Sequence, residues 1–206
     1  MLVVTPADQT VTNGVAFTQA LRTAVEVASS GAIVILGITP DTPETGYGYI
    51  RSTAEHGAAA KVAQFVEKPN AATAARYLAE GGCAWNSALF VLKASTWLAA
   101  PDAFRPDISA ATRAAWSARS TDGPFVRPDK AAFATAPTES VDYAVMERCP
   151  GSAFDIRVVP WLRAGTTSAP GTPSSRCRSR SLKCSRVVPV RGRHRAVRGY
   201  LWAYLR

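Results

Sequence analysis

Long apolar runs are missing from this sequence of 206 residues. No segment reaches the roughly 20 consecutive apolar residues that a membrane-spanning helix needs. The first ten residues, MLVVTPADQT, also lack the basic region and the apolar stretch of a secretory signal peptide. These absences predict a cytoplasmic protein with no membrane partner.

Cysteine and histidine are scarce as well. The four cysteines, Cys83, Cys149, Cys177 and Cys184, form no CxxC pair, and no cluster of histidines lies near them. This spacing argues against a zinc site and against a disulfide framework. It favours free thiols in a reducing compartment.

Acidic residues are absent from the last part of the chain. Residues 1–160 carry 13 Lys and Arg and all 15 Asp and Glu, whereas residues 161–206 carry the other 11 Lys and Arg and no acid. The second segment is rich in Ser, Pro and Arg and shows little periodicity, which is typical of disorder. By itself it indicates a basic arm that could bind nucleic acid or anionic lipid through charge. We therefore divide the chain into a body, residues 1–160, and a disordered basic tail, residues 161–206.

The body alternates between strand-like and helix-like segments. AIVILGI is a continuous apolar run of strand length, as expected for a strand covered on both faces. One predicted helix begins at Asn13 and ends at Gly31, and another spans residues 71–80 before a Gly-Gly pair. Ser95 is a candidate cap for a third helix, and DYAVMERC is predicted to be helical. This alternation predicts an α/β fold with a mostly parallel sheet and helices on both faces.

Polar residues follow several of the predicted strands, at the sheet edge where ligands of parallel sheets bind. The candidates are Asp8, residues 46–50, the Glu67-Lys68 pair and the Asn86-Ser87 pair. Two glycines in PETGYGYI let the backbone approach a ligand closely. Each feature also has a simpler interpretation: a turn-forming aspartate, a glycine-containing turn or a surface ion pair.

Five motifs in order resemble the nucleotidyltransferase domain of bacterial mannose-1-phosphate guanylyltransferases, GTP-using enzymes often fused to a mannose-6-phosphate isomerase domain. They span about residues 2–160 and are VVTPADQ, LGITPDTPETGYGYI, FVEKPNAATAARYLAEG, WNSALFVLKAS and SVDYAVMER. The resemblance implies a Rossmann-like nucleotide-sugar transferase fold with a mixed, mostly parallel sheet. It also implies transfer of GMP from GTP to mannose 1-phosphate, which gives GDP-mannose for polysaccharide biosynthesis and releases pyrophosphate.

The resemblance gives a role to the first motif. Asp8 matches the family's metal-binding aspartate, so it would hold Mg²⁺ or another divalent cation and take part in catalysis. Gln9 stands where the family usually has histidine. GTP and mannose 1-phosphate are the expected substrates.

The next two motifs supply the expected sugar-phosphate site. Gly48 would lie against the mannose ring, with Tyr47 and Tyr49 framing it. Glu67 would accept hydrogen bonds from sugar hydroxyls. Lys68, the second catalytic candidate, would neutralise the sugar 1-phosphate as a point charge.

The remaining site residues come from the last two motifs. Asn86 would bond to vicinal hydroxyls, with Ser87 beside it. Ala88 replaces the family's usual glycine and adds a methyl group close to the sugar. Asp142 would either hold the sugar end of the site or cap a helix.

Two segments of the family have no counterpart in the sequence: a glycine-rich triphosphate loop, GGxGTRLWPLSR, and a motif GW[SN]DVGSW with a second metal-binding aspartate. When Arg163 to Gly171 are back-translated and read two bases later, the allowed codons include GWNDVGSW. We therefore infer a change of reading frame near residues 158–162.

These departures predict an N-terminally truncated, frame-shifted fragment that has little or no activity and binds no specific nucleic acid. The alternatives are a non-catalytic remnant that binds sugar phosphate and a nucleic-acid-binding protein with a basic tail.

Overall fold

The computed structural model describes residues 1–6, 9, 11, 13–53 and 58–161, together with the backbone of three short strands between residues 183 and 205. The strands are β1 (Leu2–Thr5), β2 (Ile33–Ile38), β3 (Tyr49–Ser52), β4 (Ala60–Val66), β5 (Cys83–Leu92), β6 (Ser120–Asp122), β7 (Phe125–Arg127), β8 (Ile156–Trp161), β9 (Lys183–Cys184), β10 (Arg186–Pro189) and β11 (Tyr204–Leu205). The helices are α1 (Gly14–Ala28), α2 (Ala71–Glu80), α3 (Ala94–Phe104), α4 (Pro106–Ser117), α5 (Lys130–Ala134) and α6 (Val141–Ala144), and a 3₁₀ turn follows at Met146–Arg148.

One sheet organises the body, with the strand order β10, β1, β5, β2, β8, β4, β3 and an additional pairing of β5 with β3. The α/β class and the mixed sheet are as predicted, but the prediction that most strands run parallel is wrong. Among the described pairs of this sheet, only β2 and β8 are parallel. β1 and β2 do share a direction, as the helix between them suggests. However, β5 lies between them and is antiparallel to both.

Apolar side chains cover the two faces of the sheet separately. In β2, Ile33 and Ile35 belong to one cluster and Val34 and Leu36 to the other, and all four are fully buried. Because successive residues of a strand point to opposite faces, this strand must be apolar throughout. The cluster with Val34 and Leu36 is covered by α1, and the other includes residues of α3, α6 and the 3₁₀ turn.

Helix caps explain where several elements begin. Asn13 caps α1 and Asn70 caps α2, each through its side-chain oxygen. Gly81, with φ +69, ends α2. The prediction that Ser95 caps α3 is wrong, because the helix begins one residue earlier and Lys93 occupies the capping position without a side-chain bond. The predicted DYAVMERC helix is divided between α6 and the 3₁₀ turn.

The basic tail is described only in part. The backbone of β10 pairs antiparallel with β1, and that of β9 pairs antiparallel with β11. Trp161, at the proposed boundary, is buried at the end of β8. The other residues of the tail lie outside the described residues, so its division from the body, its disorder and its change of reading frame stay predictions. No helix in the described part of the chain has the length and apolar character of a membrane span.

Candidate functional site

Three elements of the sheet meet around Gly48. This residue immediately precedes β3, and β3 pairs with both β4 and β5. The carbonyl oxygen of Gly48 accepts a hydrogen bond from the backbone N–H of Asn86 at 2.8 Å. A Cβ at Gly48 would lie 2.5 Å from Glu67 Oε2 and 3.2 Å from Asn86 Cβ. The close approach of these groups therefore depends on glycine.

The chain turns at Glu67 and Lys68, directly after β4. Lys68 has a left-handed backbone, with φ 48, and its amide donates to the Tyr47 carbonyl at 3.2 Å. The turn brings the two side chains together, so that Lys68 Nζ lies 3.2 Å from Glu67 Oε1. The Glu67 side chain is 7% exposed and that of Lys68 55% exposed, which gives a buried carboxylate and a cation that reaches solvent.

One carboxylate oxygen of Glu67 lacks a hydrogen-bond partner. This atom, Oε2, is buried and lies beside Gly48. A buried polar atom without a partner is costly, and a hydrogen-bond donor on a ligand would remove that cost. Glu67 is thus suited to accept a hydrogen bond from a hydroxyl group.

Asp142, in the first turn of α6, contacts Asn86 across the site. Asn86 Nδ2 donates to Asp142 Oδ1 at 2.9 Å, and Asn86 Oδ1 accepts from the Ala88 amide at 2.9 Å. The helix is capped instead by Ser140, whose Oγ accepts from the Tyr143 amide at 3.4 Å. Of the two roles considered for Asp142, capping therefore does not apply.

The protonation of Asp142 is unusual for an aspartate. Burial, and next the negative charge of Glu67, raise the pKa of Asp142 from 3.8 to about 6. The hydrogen bond from Asn86 and the charge of Lys68 act in the opposite direction. Aspartates that titrate near neutral pH are frequent at functional sites.

Glu147 is a site residue that the sequence analysis missed. It lies in the 3₁₀ turn, and its Oε1 accepts a hydrogen bond from the Glu67 amide at 2.6 Å. The available signal was its place in SVDYAVMER, a motif used only for Asp142. Glu147 thus joins α6 and its 3₁₀ turn to the Glu67-Lys68 turn.

The structure does not bring the ring of Tyr49 to this site. Tyr49 is fully buried, and its ring lies 5.7 Å from that of Tyr77 on α2. The Tyr47 ring packs against Trp85 at 5.1 Å, in contact with the same aromatic cluster. Side chains alternate along an extended chain, so both tyrosines face away from the side on which Gly48 meets Glu67. Their rings support the loop from behind.

Ser87 also has a different position from the one expected. It is buried, and its Oγ donates to the Leu36 carbonyl at 2.6 Å, which ties β5 to β2. Gln9 Nε2 donates to the Ser87 carbonyl at 2.8 Å. These bonds give Ser87 a place in the sheet, not beside Gly48.

The predicted metal ligand, Asp8, lies outside the described residues. Within the part of the chain that the structure does describe, no group of three or more His, Cys, Asp and Glu could hold a metal ion.

Ala88 adopts a backbone conformation that favours glycine, with φ 56. The Ala88→Gly variant should relieve this strain and raise the free energy of unfolding by about 0.5 to 1 kcal/mol, after allowance for the greater freedom of glycine in the unfolded chain. Urea denaturation measures the change. Ala75→Gly, in the middle of α2, is the matched control and should lower stability by about 1 kcal/mol. A loss of stability in Ala88→Gly would contradict the strain argument.

The protein is an α/β protein in which polar side chains cluster where β3 pairs with β4 and with β5. Residues 1–169 match the family described as Nucleotidyl transferase, and the chain belongs to this family.

Two relatives show which members of this family the chain is similar to. The chain is 44% identical over 178 residues to a mannose-1-phosphate guanylyltransferase of Escherichia coli K12. It is 43% identical over 173 residues to the xanthan biosynthesis protein XanB of Xanthomonas campestris pv. campestris strain B100. In both cases the match covers 82% of this chain and 36% of the relative, so the chain spans about a third of the length of these proteins.

Two solved structures share the fold. One, described as a mannose-1-phosphate geranyltransferase from Thermus thermophilus, superposes with a TM-score of 0.66 at 34% identity, over 78% of this chain and 44% of that chain. The other, described as a mannose-6-phosphate isomerase from Helicobacter pylori, gives a TM-score of 0.70 at 27% identity, over 78% of this chain and 61% of that chain.

Proposed function

We propose that this chain carries the mannose 1-phosphate site of a mannose-1-phosphate guanylyltransferase, which transfers GMP from GTP to mannose 1-phosphate and releases pyrophosphate. The supporting observation is the convergence of five predicted site residues from separate elements: Gly48, Glu67, Lys68, Asn86 and Asp142. The similarity to relatives described as mannose-1-phosphate guanylyltransferases agrees with this proposal.

The chemistry of these side chains suits a sugar phosphate. Sugar hydroxyls both donate and accept hydrogen bonds, so they need acceptors and donors side by side. Glu67 Oε2 is an acceptor, and Asn86 retains a second N–H beyond the one given to Asp142. Lys68 supplies a cation at the solvent side of the pair, where a phosphate would be neutralised. Because Gly48 has no side chain, Glu67 Oε2 can lie close to the backbone at this position.

The proposal for the nucleotide and the metal ion is supported by the family match alone. Members of this family generally use divalent cations, and we propose Mg²⁺ held by Asp8, which lies outside the described residues. When bound, the ion would neutralise charge between phosphate groups. The proposed part of Gly48, Glu67, Lys68, Asn86 and Asp142 is to bind and orient the sugar phosphate. We place the reaction in the cytoplasm, in keeping with the free thiols of Cys83 and Cys149.

Calorimetric titration of the chain with mannose 1-phosphate and with mannose tests this proposal. The wild-type chain should bind the phosphorylated sugar more tightly than mannose. Lys68→Gln should lower the affinity for mannose 1-phosphate by about 10- to 100-fold, as expected for the loss of a charge-assisted contact. It should affect mannose little.

The matched control is Lys61→Gln, which removes an exposed lysine of β4. It should leave both affinities unchanged. No saturable binding of mannose 1-phosphate, or equal effects of the two lysine substitutions, would contradict the proposed site.

A further inference from the structure

We propose that Glu147 is a positioning residue for the sugar-phosphate site: by accepting the hydrogen bond of the Glu67 amide, it sets where Glu67 and Lys68 place their charged groups. The effect of Glu147 on ligand binding rests on the proposed function. The hydrogen bond between Glu67 and Glu147 does not rest on it, because this bond is present without a ligand.

The anchor on the Glu147 side is firm. Glu147 is 80 residues away from Glu67 in the sequence, and its Oε1 lies 2.6 Å from the Glu67 amide nitrogen. This distance is at the short end of the range for an N–H···O hydrogen bond. Met146, which precedes Glu147 in the 3₁₀ turn, is fully buried in the core. Glu147 therefore connects the turn after β4 to a part of the core that cannot easily move.

The turn on the other side needs such support. The last residue of β4 paired with β3 is Val66, opposite Tyr49, so Glu67 is the first residue beyond the ladder. Lys68 then takes a φ of 48, which is unfavourable for a residue with a side chain. Two hydrogen bonds hold this turn, one from the Glu67 amide to Glu147 and one from the Lys68 amide to Tyr47. Without the first, Lys68 is free to relax to an ordinary backbone conformation, which would carry its ammonium group away from Glu67.

The role requires an acceptor oxygen and not a negative charge. The group that Glu147 contacts is a neutral backbone N–H, which needs an acceptor and no opposite charge. The side-chain oxygen of glutamine can accept the same N–H from the same distance. Aspartate is shorter by one methylene group and would not reach. Glutamine should therefore replace Glu147, whereas alanine and aspartate should not.

Two measurements on the full chain test this assignment in Glu147→Gln, Glu147→Ala and Glu147→Asp. Calorimetry gives the affinity for mannose 1-phosphate, and amide hydrogen exchange of the ligand-free protein reports the Glu67 N–H. Glu147→Ala and Glu147→Asp should weaken binding by about tenfold and speed exchange of the Glu67 amide by at least about tenfold, as expected for one lost hydrogen bond. Glu147→Gln should stay within about threefold of wild type in both. Glu26→Gln, at an exposed position of α1, should change neither.

The outcomes separate the two proposals. Wild-type affinity in Glu147→Ala would overturn the positioning role, and equal losses in Glu147→Gln and Glu147→Ala would show that charge matters instead of the acceptor. If the wild-type chain does not bind mannose 1-phosphate, the proposed function fails. In that case hydrogen exchange alone tests the positioning role. An unchanged exchange rate of the Glu67 amide in Glu147→Ala would refute the hydrogen bond to Glu147.

Discussion

Gly48→Ala should abolish measurable binding of mannose 1-phosphate and lower the free energy of unfolding by about 2 kcal/mol, the usual cost of overpacking a close contact. The new methyl group would lie 2.5 Å from Glu67 Oε2, 3.2 Å from Asn86 Cβ and 3.3 Å from Phe65 Cζ. Glu67 would have to move, since the phenyl ring and the strand backbone cannot. The substitution thus displaces the carboxylate that would bind the sugar.

Gly46→Ala is the matched control for this prediction. It makes the same chemical change two residues away, where an added Cβ meets no atom within 4 Å. Calorimetric titration and urea denaturation of both variants give affinity and stability side by side. Equal binding by the two variants would show that the close approach at Gly48 has no role in recognition.

The elements with strong local signals could be predicted from the sequence. The apolar positions of residues 71–80, the capping Asn70 and the Gly-Gly pair place α2 within its observed bounds. The continuous run of β2 likewise follows from its burial on both faces. In both segments the cause of the structure is contained in the segment itself.

The directions of the strands could not be predicted in this way. A strand buried on both faces has the same apolar run whether its neighbours are parallel or antiparallel. The antiparallel insertion of β5 between β1 and β2 depends on pairings such as Val3 with Val91 and Val34 with Val91, which join distant parts of the chain. The alternation of helices and strands contains no information on such an insertion.

The candidate site shows the same division. Because successive side chains of a strand point to opposite faces, Gly48 and Tyr49 do not face one site together, and neither do Asn86 and Ser87. The structure separates both pairs. Glu147 could not be placed by any local rule, because its partner is a backbone amide of another element.

Asp142→Asn should make the protein more stable at pH 7.5, by about 2 kcal/mol. Burial and the charge of Glu67 raise the pKa of Asp142 from 3.8 to about 6 in the folded protein. Between these two values the unfolded chain has already lost the proton that the folded protein keeps. The free energy of unfolding of the wild-type chain should therefore fall as pH rises from about 4 to about 6, and should stay lowered above that range, with a full effect of about 2 to 3 kcal/mol.

Asparagine removes this titration and keeps the contact, because its side-chain oxygen can still accept from Asn86 Nδ2 as Asp142 Oδ1 does. Urea denaturation at several pH values from 4 to 7.5 measures the effect for the wild type, Asp142→Asn and the exposed control Glu26→Gln. The wild type and the control should lose stability in parallel across this range, while Asp142→Asn should follow a flatter profile. Parallel profiles for all three proteins would show that Asp142 does not titrate near pH 6. A variant that is more stable and yet binds mannose 1-phosphate less tightly would indicate that the ionised carboxylate is kept for recognition, at the expense of stability.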